Sequence, residues 1–339
     1  MLYFSGTGNS RYVAEAFSRR MEAECHSIEE TADFAARLAA HVEVAVCYPV
    51  YCSGVPRLMR EFAIRYQGAF QGKKVLIFCT QMLYSGDGAR AFTDLFPPGW
   101  FTVLYAEHFF MPGNLCNVLP AWTFGEGFAR RRAEKAEEKI ERICRNLERG
   151  RRVRRGFGRP SRLLGGMQRH YLPTTEDKAR DAVTIGEGCT GCGLCASRCP
   201  AGNLLLVRGR PVPQARCMFC YRCVNLCPRQ AITVCYDRTV KVQYHGVPVE
   251  KQRTAGGPLC MAVSRLHLFT VRICTSVIHK AAVKANLSRV CLYFCIRFRY
   301  NKLYTHASRP FGAYLLLKGQ CNHEENPHAG QRSRCPRAV

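Results

Sequence analysis

Two sets of four cysteines share one spacing. Cys189, Cys192, Cys195 and Cys199, the last followed by Pro200, return 28 residues later as Cys217, Cys220, Cys223 and Cys227, followed by Pro228. Apolar residues return in the same register, Leu204-Leu205-Leu206 after the first proline and Ile232-Thr233-Val234 after the second, so this is a duplicated unit. Thiolates so close in sequence let one loop wrap three sulfurs around a face of a four-iron cube. The fourth cysteine, followed by proline, leaves that loop and ligates the other cluster. The spacing therefore assigns Cys189, Cys192, Cys195 and Cys227 to one [4Fe-4S] cluster and Cys217, Cys220, Cys223 and Cys199 to a second. Gly191 and Gly193 allow close approach of the backbone, whose N–H groups can bond to sulfur. Structural zinc is the alternative, although zinc modules pair Cys-x-x-Cys units across longer gaps. A disulfide scaffold is not expected, because no secretion signal opens the chain.

A second candidate site lies at the start. Phe4-Ser5-Gly6-Thr7-Gly8-Asn9-Ser10 joins a short apolar strand to a segment with Val13, Phe17 and Met21 at helical spacing. Hydroxyls, glycines and free N–H groups at a helix start favour an anion. The loop lacks the Lys-Ser/Thr pair of a nucleoside triphosphate loop and the G-x-G-x-x-G spacing of a dinucleotide site. Neutral donors suit a phosphomonoester such as that of FMN; the alternative is an ordinary helix cap.

These loops need elements to hold them. Apolar runs rich in Val, Ile, Phe and Tyr at Val42–Val50, Val75–Cys79 and Phe101–Tyr105 read as buried parallel strands. Glu126–Leu147 reads as a helix, and strands alternating with helices over residues 1–148 give a doubly wound α/β sheet. Residues 149–184 read as a basic linker, with the run Arg149, Arg151, Arg152, Arg154 and Arg155 exposed to solvent or docking an acidic partner. Residues 185–240 contain the cysteine repeat. From residue 253 to 339 the chain is basic and without sustained period, and is not expected to form a folded domain; read-through or frame-shifted sequence would account for it. Only four residues precede Ser5, so a start codon later than the natural one is a further expectation.

The chain has 339 residues, 21 cysteines and a formal net charge of +25. Much of the positive excess sits in the linker and the tail, so nucleic acid is not expected as a partner. An odd cysteine count, the absence of a signal peptide and the absence of a long uncharged apolar run point to a reducing, cytoplasmic setting without a membrane span. His41, His108 and His170 are isolated and read as surface or packed histidines.

Ser5-Gly6-Thr7-Gly8-Asn9-Ser10 after a first strand resembles the FMN phosphate loop of flavodoxins. Pro49-Val50-Tyr51 and Thr80-Gln81-Met82-Leu83-Tyr84-Ser85-Gly86-Asp87-Gly88 are placed like the second and third flavin loops. Met111-Pro112-Gly113-Asn114, a long charged helix and then the cysteine repeat make residues 1 to about 240 similar to a family of flavodoxin–ferredoxin fusions. The resemblance implies an α/β flavodoxin-like doubly wound parallel sheet followed by a small α+β two-cluster ferredoxin domain. It implies FMN held by Ser5, Gly6, Thr7, Gly8, Asn9 and Ser10, with Tyr51 and Tyr84 stacking on the flavin ring. The expected function is electron transfer between two [4Fe-4S] clusters and FMN, with redox proteins as partners. The alternatives are a flavin-dependent reductase of a small substrate and a basic nucleic-acid-binding protein with structural metal.

Overall fold

The computed structural model describes residues 1–118 and 125–247, so the expectation for residues 253–339 lies outside the described residues. Six strands form one parallel sheet: β1 (Leu2–Tyr3), β2 (His26–Ser27), β3 (Glu43–Pro49), β4 (Lys74–Gln81), β5 (Thr102–Phe110) and β6 (Val153–Arg154), in the order β2-β1-β3-β4-β5-β6. The order reverses between β1 and β3, and the crevice at the carboxyl ends of those strands is where such sheets bind ligands.

Alternating side chains along the strands bury both faces. Val44, Val46 and Tyr48 of β3 share one core with Val75 and Ile77 of β4, under Met59, Phe62 and Phe92. Ala45, Cys47, Leu76 and Phe78 face the other way, against Val13 and Phe17 of α1 (Asn9–Arg20) and Ile140 and Ile143 of α5 (Glu126–Glu148). The first face is covered by α2 (Phe34–Ala39), α3 (Arg57–Arg65) and α4 (Gly88–Thr93). Cys47 and Cys79 are fully buried and act as small hydrophobes.

β5 runs five residues past the end read from its apolar pattern, through Glu107 and His108. Neutralisation makes that burial tolerable. The Glu107 carboxylate pairs with Lys139 at 3.5 Å and Arg155 at 2.5 Å. His108 Nδ1 bonds the Ser85 hydroxyl at 2.6 Å. Burial, then the charges of Arg155 and Lys139, lower the His108 pKa to about 3, so the ring is neutral.

Residues 149–184, expected from their composition to be a linker with solvated arginines, are structured. They supply β6, α6 (Arg159–Arg169) and α7 (Leu172–Asp181). Arg155 N–H donates to the Ala106 carbonyl at 3.0 Å while its guanidinium neutralises Glu107, so part of the basic run is a sheet edge. α6 lies on the loop after β4: Arg169 forks onto the Asp87 carboxylate at 2.7 and 3.0 Å, and Arg90 bonds it at 2.8 Å. Burial alone would push the Asp87 pKa up; the two guanidiniums outweigh it and hold it low. Among the described residues no helix is long and apolar enough to cross a membrane.

The cysteine repeat folds as two interlocked copies. β7 (Val183–Ile185) and α8 (Leu194–Ser197) and β8 (Leu204–Val207) belong to the first; β9 (Arg210–Pro213), α9 (Arg222–Leu226) and β10 (Ile232–Val234) are their counterparts. β7 pairs antiparallel with β10, and β8 with β9. Each copy therefore pairs both of its strands with the other.

Two outcomes follow from this packing. A Cβ at Gly165 would overlap the Asp87 carboxylate. Gly165→Ala should therefore lower the unfolding free energy by about 1–3 kcal/mol in denaturant titration despite the better helix propensity of alanine; a gain in stability would refute the packing described. Neutral His108 with a pKa of about 3, against 6.5 when unfolded, means the unfolded chain takes up a proton below pH 6.5 that the folded one refuses, so stability falls as pH drops from 6.5 towards 3. His108→Gln should flatten that fall by up to about 1.4 kcal/mol per pH unit; an unchanged slope would show His108 is not buried neutral.

Candidate metal centres and phosphate loop

The interlocked copies place the eight cysteines around two cavities. Cys189, Cys192, Cys195 and Cys227 line one of about 310 Å³, counting its mouth. Cys199, Cys217, Cys220 and Cys223 line another of about 340 Å³. The strand exchange carries Cys199 and Cys227 across, each preceding a strand that pairs with the other copy.

The backbone is shaped alike in both copies. Gly191, Gly193 and Gly202 have φ of 71°, 74° and 58°, and their counterparts Phe219, Tyr221 and Gln230 have 63°, 60° and 51°. Left-handed backbone costs a non-glycine residue about 1–2 kcal/mol. Packing offsets it at the aromatic pair. Tyr221 is buried with its hydroxyl donating to the Val234 carbonyl at 3.0 Å, and Phe219 lies edge-on to both Tyr221 and Tyr51. At Gly191 the close approach that excludes a side chain is to the Gly209 carbonyl.

Peptide N–H groups point at three of the sulfurs: Gly191 to Cys189 at 3.4 Å, Asn203 to Cys199 at 3.2 Å and Ala231 to Cys227 at 3.3 Å. The last two are equivalent positions of the repeat. Burial pushes the Cys220 thiol up to about 12 and raises Cys223, Cys217 and Cys195 as well. Only a bound cation would hold these sulfurs as thiolates. Among the described residues no three Cys, His, Asp or Glu side chains are grouped tightly enough to hold a single metal ion. Four thiols spread around a cavity, with amide donors to sulfur, form the donor set of a four-iron cube, and the residues fit that group.

The candidate phosphate loop, Ser5–Ser10, is built as a helix start. Gly8, with φ 103°, caps α1, and its N–H donates to Ser5 Oγ at 3.0 Å. Ser10 Oγ bonds Thr80 Oγ1 at 2.7 Å, and Asn9 Nδ2 donates to the Pro112 carbonyl at 2.9 Å, while Thr7 is half-buried. The loop touches the cysteine repeat and the residues that follow it. Arg222 donates to the carbonyls of Ser5 at 2.7 Å and Gly6 at 3.0 Å. A Cβ on Gly6 would lie 2.6 Å from the Cys220 carbonyl oxygen, and the Tyr244 hydroxyl donates to Asn9 Oδ1.

Tyr51 and Tyr84 are not brought together over an open surface. Tyr51 packs edge-on to Phe219, and its buried hydroxyl has no partner among the described residues. Tyr84 is half-buried on the loop after β4, whose neighbours Gly86 and Asp87 lie under α6. Both tyrosines are half-buried, and the unpartnered Tyr51 hydroxyl lies beside Gly6 of the loop, a polar group that a ligand in the Ser5–Ser10 loop would meet. Sequence reasoning missed Arg222, Phe219 and Tyr221. Only the left-handed backbone at Phe219 and Tyr221 was signalled, by the glycines at the equivalent positions of the first copy.

Comparison with known proteins agrees with the sheet. Residues 1–112 match the family model described as a flavodoxin domain. The N-terminal part of the chain is flavodoxin-like. Solved structures similar to it include a flavodoxin from the Archaea, with 14% identity over 43% of this chain and 96% of that one at a TM-score of 0.28. Another is the WrbA-like flavodoxin of Agrobacterium tumefaciens, with 18% identity over 44% and 96% at 0.31. A 65-residue stretch, 19% of this chain, is 37% identical to one subunit of the ion-translocating oxidoreductase complex of Methanosarcina acetivorans. The chain spans a quarter of that relative's length.

The crossed ligand sets give a direct test. Cys227→Ser should remove the cluster of Cys189, Cys192 and Cys195 and spare the other, taking the iron count from about eight to about four per chain. Cys199→Ser should do the reverse, leaving electron paramagnetic resonance signals that differ from those of Cys227→Ser. Identical residual signals in the two variants would disprove the crossed assignment.

Proposed function

We propose that this chain is an electron-transfer protein whose residues 185–240 carry two [4Fe-4S] clusters, seated against a flavodoxin-like domain of residues 1–148. The observation that carries the reading is the pair of four-cysteine cavities, each completed by a cysteine from the other copy. Each cluster passes one electron at a time when bound. The chain's own part is to keep the sulfurs out of water, aim amide hydrogens at them and fix the two cavities on one interlocked frame. The spread of the thiols supports cubes over zinc, which draws its sulfurs to about 2.3 Å from one point.

The match to a component of an oxidoreductase complex supports a redox role, with other redox proteins as donor and acceptor. The flavodoxin-like fold implies FMN. Its phosphate would meet Ser5–Ser10, and its ring would lie near Tyr51 and Tyr84, both half-buried. The reading places the protein in a reducing, cytoplasmic setting, where cysteines serve as ligands rather than disulfides.

The test is an anaerobic absorption spectrum with iron, zinc, acid-labile sulfide and released flavin counted on one purified sample. About eight irons and eight sulfides per chain are expected. Zinc without iron would overturn the reading.

A further inference from the structure

α6 is amphipathic, but it is seated the opposite way from a helix that covers a core. Its face towards the domain is small and polar. Gly165 packs on the Asp87 carboxylate, the Ser53 hydroxyl donates to Gln168, and Arg169 holds Asp87 and the Ser53 carbonyl. Leu172, the next residue in that row, covers Gly54.

The apolar residues face outward. Leu163, Met167 and Tyr171 follow at intervals of four, and helical backbone continues through His170 and Tyr171, so they form one row. They are 68%, 61% and 61% exposed, and Leu164 beside them is exposed as well. Single exposed leucines are ordinary on a protein surface, whereas a contiguous row of large apolar side chains marks a contact face.

The charge around this row has one sign. No acid occurs between Glu148 and Glu176. Arg155 and Arg169 are committed to Glu107 and Asp87. Arg159 and Arg162, in the first turn of α6, are exposed and have no carboxylate partner among the described residues. Cations at a helix N-terminus work against the helix dipole, so these two arginines are not there to stabilise α6. Arg151, Arg152 and Arg154, just before the helix, are exposed too.

We propose that this face binds the surface of an anionic lipid bilayer, with Leu163, Met167 and Tyr171 at the acyl boundary and Arg159 and Arg162 on the headgroup phosphates. An apolar row that projects from the surface needs a medium that moulds to it, and unpaired arginines need anions. An anionic bilayer supplies both. A second copy of the chain would set arginine against arginine. Nucleic acid would meet the arginines and leave the apolar row in water. Residues 253–339 have no acid before Glu324, so they do not complement the face. The proposal goes beyond the electron-transfer reading and does not rest on it: the chain becomes a peripheral membrane protein that needs no membrane-crossing helix.

The test is sedimentation of the full chain, as purified anaerobically, with vesicles of phosphatidylcholine alone or mixed with phosphatidylglycerol. Hydrogen exchange of the peptide covering residues 159–171 is followed on the same samples. Mixed vesicles should bind the chain and slow exchange of that peptide, and added salt should release it. The double variants Leu163→Ser with Met167→Ser, and Arg159→Gln with Arg162→Gln, should each weaken vesicle binding at least about tenfold. Thermal unfolding and the absorption spectrum should stay as in wild type, because all four side chains are exposed. Equal binding to phosphatidylcholine alone would overturn the proposal, as would wild-type binding by either double variant, which would assign the lipid affinity to other basic residues. No binding to mixed vesicles would also overturn it, and would turn the search to an acidic protein as the occupant.

Discussion

A guanidinium taken largely out of water must have its donors met, and Arg222 meets this requirement by drawing three parts of the chain together. Its partners are Glu29 after β2, the backbone of the phosphate loop and the Arg198 carbonyl at the end of α8. Burial alone would lower its pKa, and the Glu29 carboxylate outweighs that and raises it. Stripping Glu29 away would leave a buried charge held only by carbonyls, which is why the pair acts as a unit. The cysteine repeat is therefore bound to the sheet through a polar fork at the very loop where such sheets hold anions.

The second constraint is internal to the repeat. Each copy is too small to bury a core alone. Pairing β7 with β10 and β8 with β9 lets Leu204, Ile232, Val234 and Val224 share one cluster of buried side chains. That exchange also delivers the fourth cysteine of each copy to the other cavity. Packing and ligand geometry thus have a common cause: the strand after each Cys-Pro must leave its own loop. The left-handed residues are tolerated for the same reason, since the three-cysteine loop must turn tightly whether glycine is present or not.

A third theme is the cover over the remaining loops. α6 and α7 lie on residues 50–54 and 84–88: Arg169 bonds Asp87 and the Ser53 carbonyl, and Gly54 packs beneath Leu172. Charge that reads as a solvated run in the sequence is in part spent on two buried carboxylates, Asp87 and Glu107. The positive charge of residues 149–184 is thus partly structural, which weakens any inference from net charge to an anionic partner.

The cysteine ligand spacing, its duplication, the phosphate-type turn and the parallel strands around Val46, Ile77 and Val103 were all legible in the sequence. Each is a short-range pattern in which spacing along the chain sets spacing in the loop or across the sheet. The far end of β5, the edge strand β6 and the helices of residues 159–181 were not legible. Their polar residues are buried against partners distant in sequence, such as Glu107 on Arg155 and Asp87 on Arg169. The grouping of the eight cysteines could be read from Cys-Pro spacing, but the fate of Tyr51 could not. Whether an aromatic beside a phosphate turn faces a flavin or another part of the same chain depends on what packs over the crevice. Only the tertiary structure decides that, because Phe219 and Arg222 reach it from more than 160 residues away along the chain.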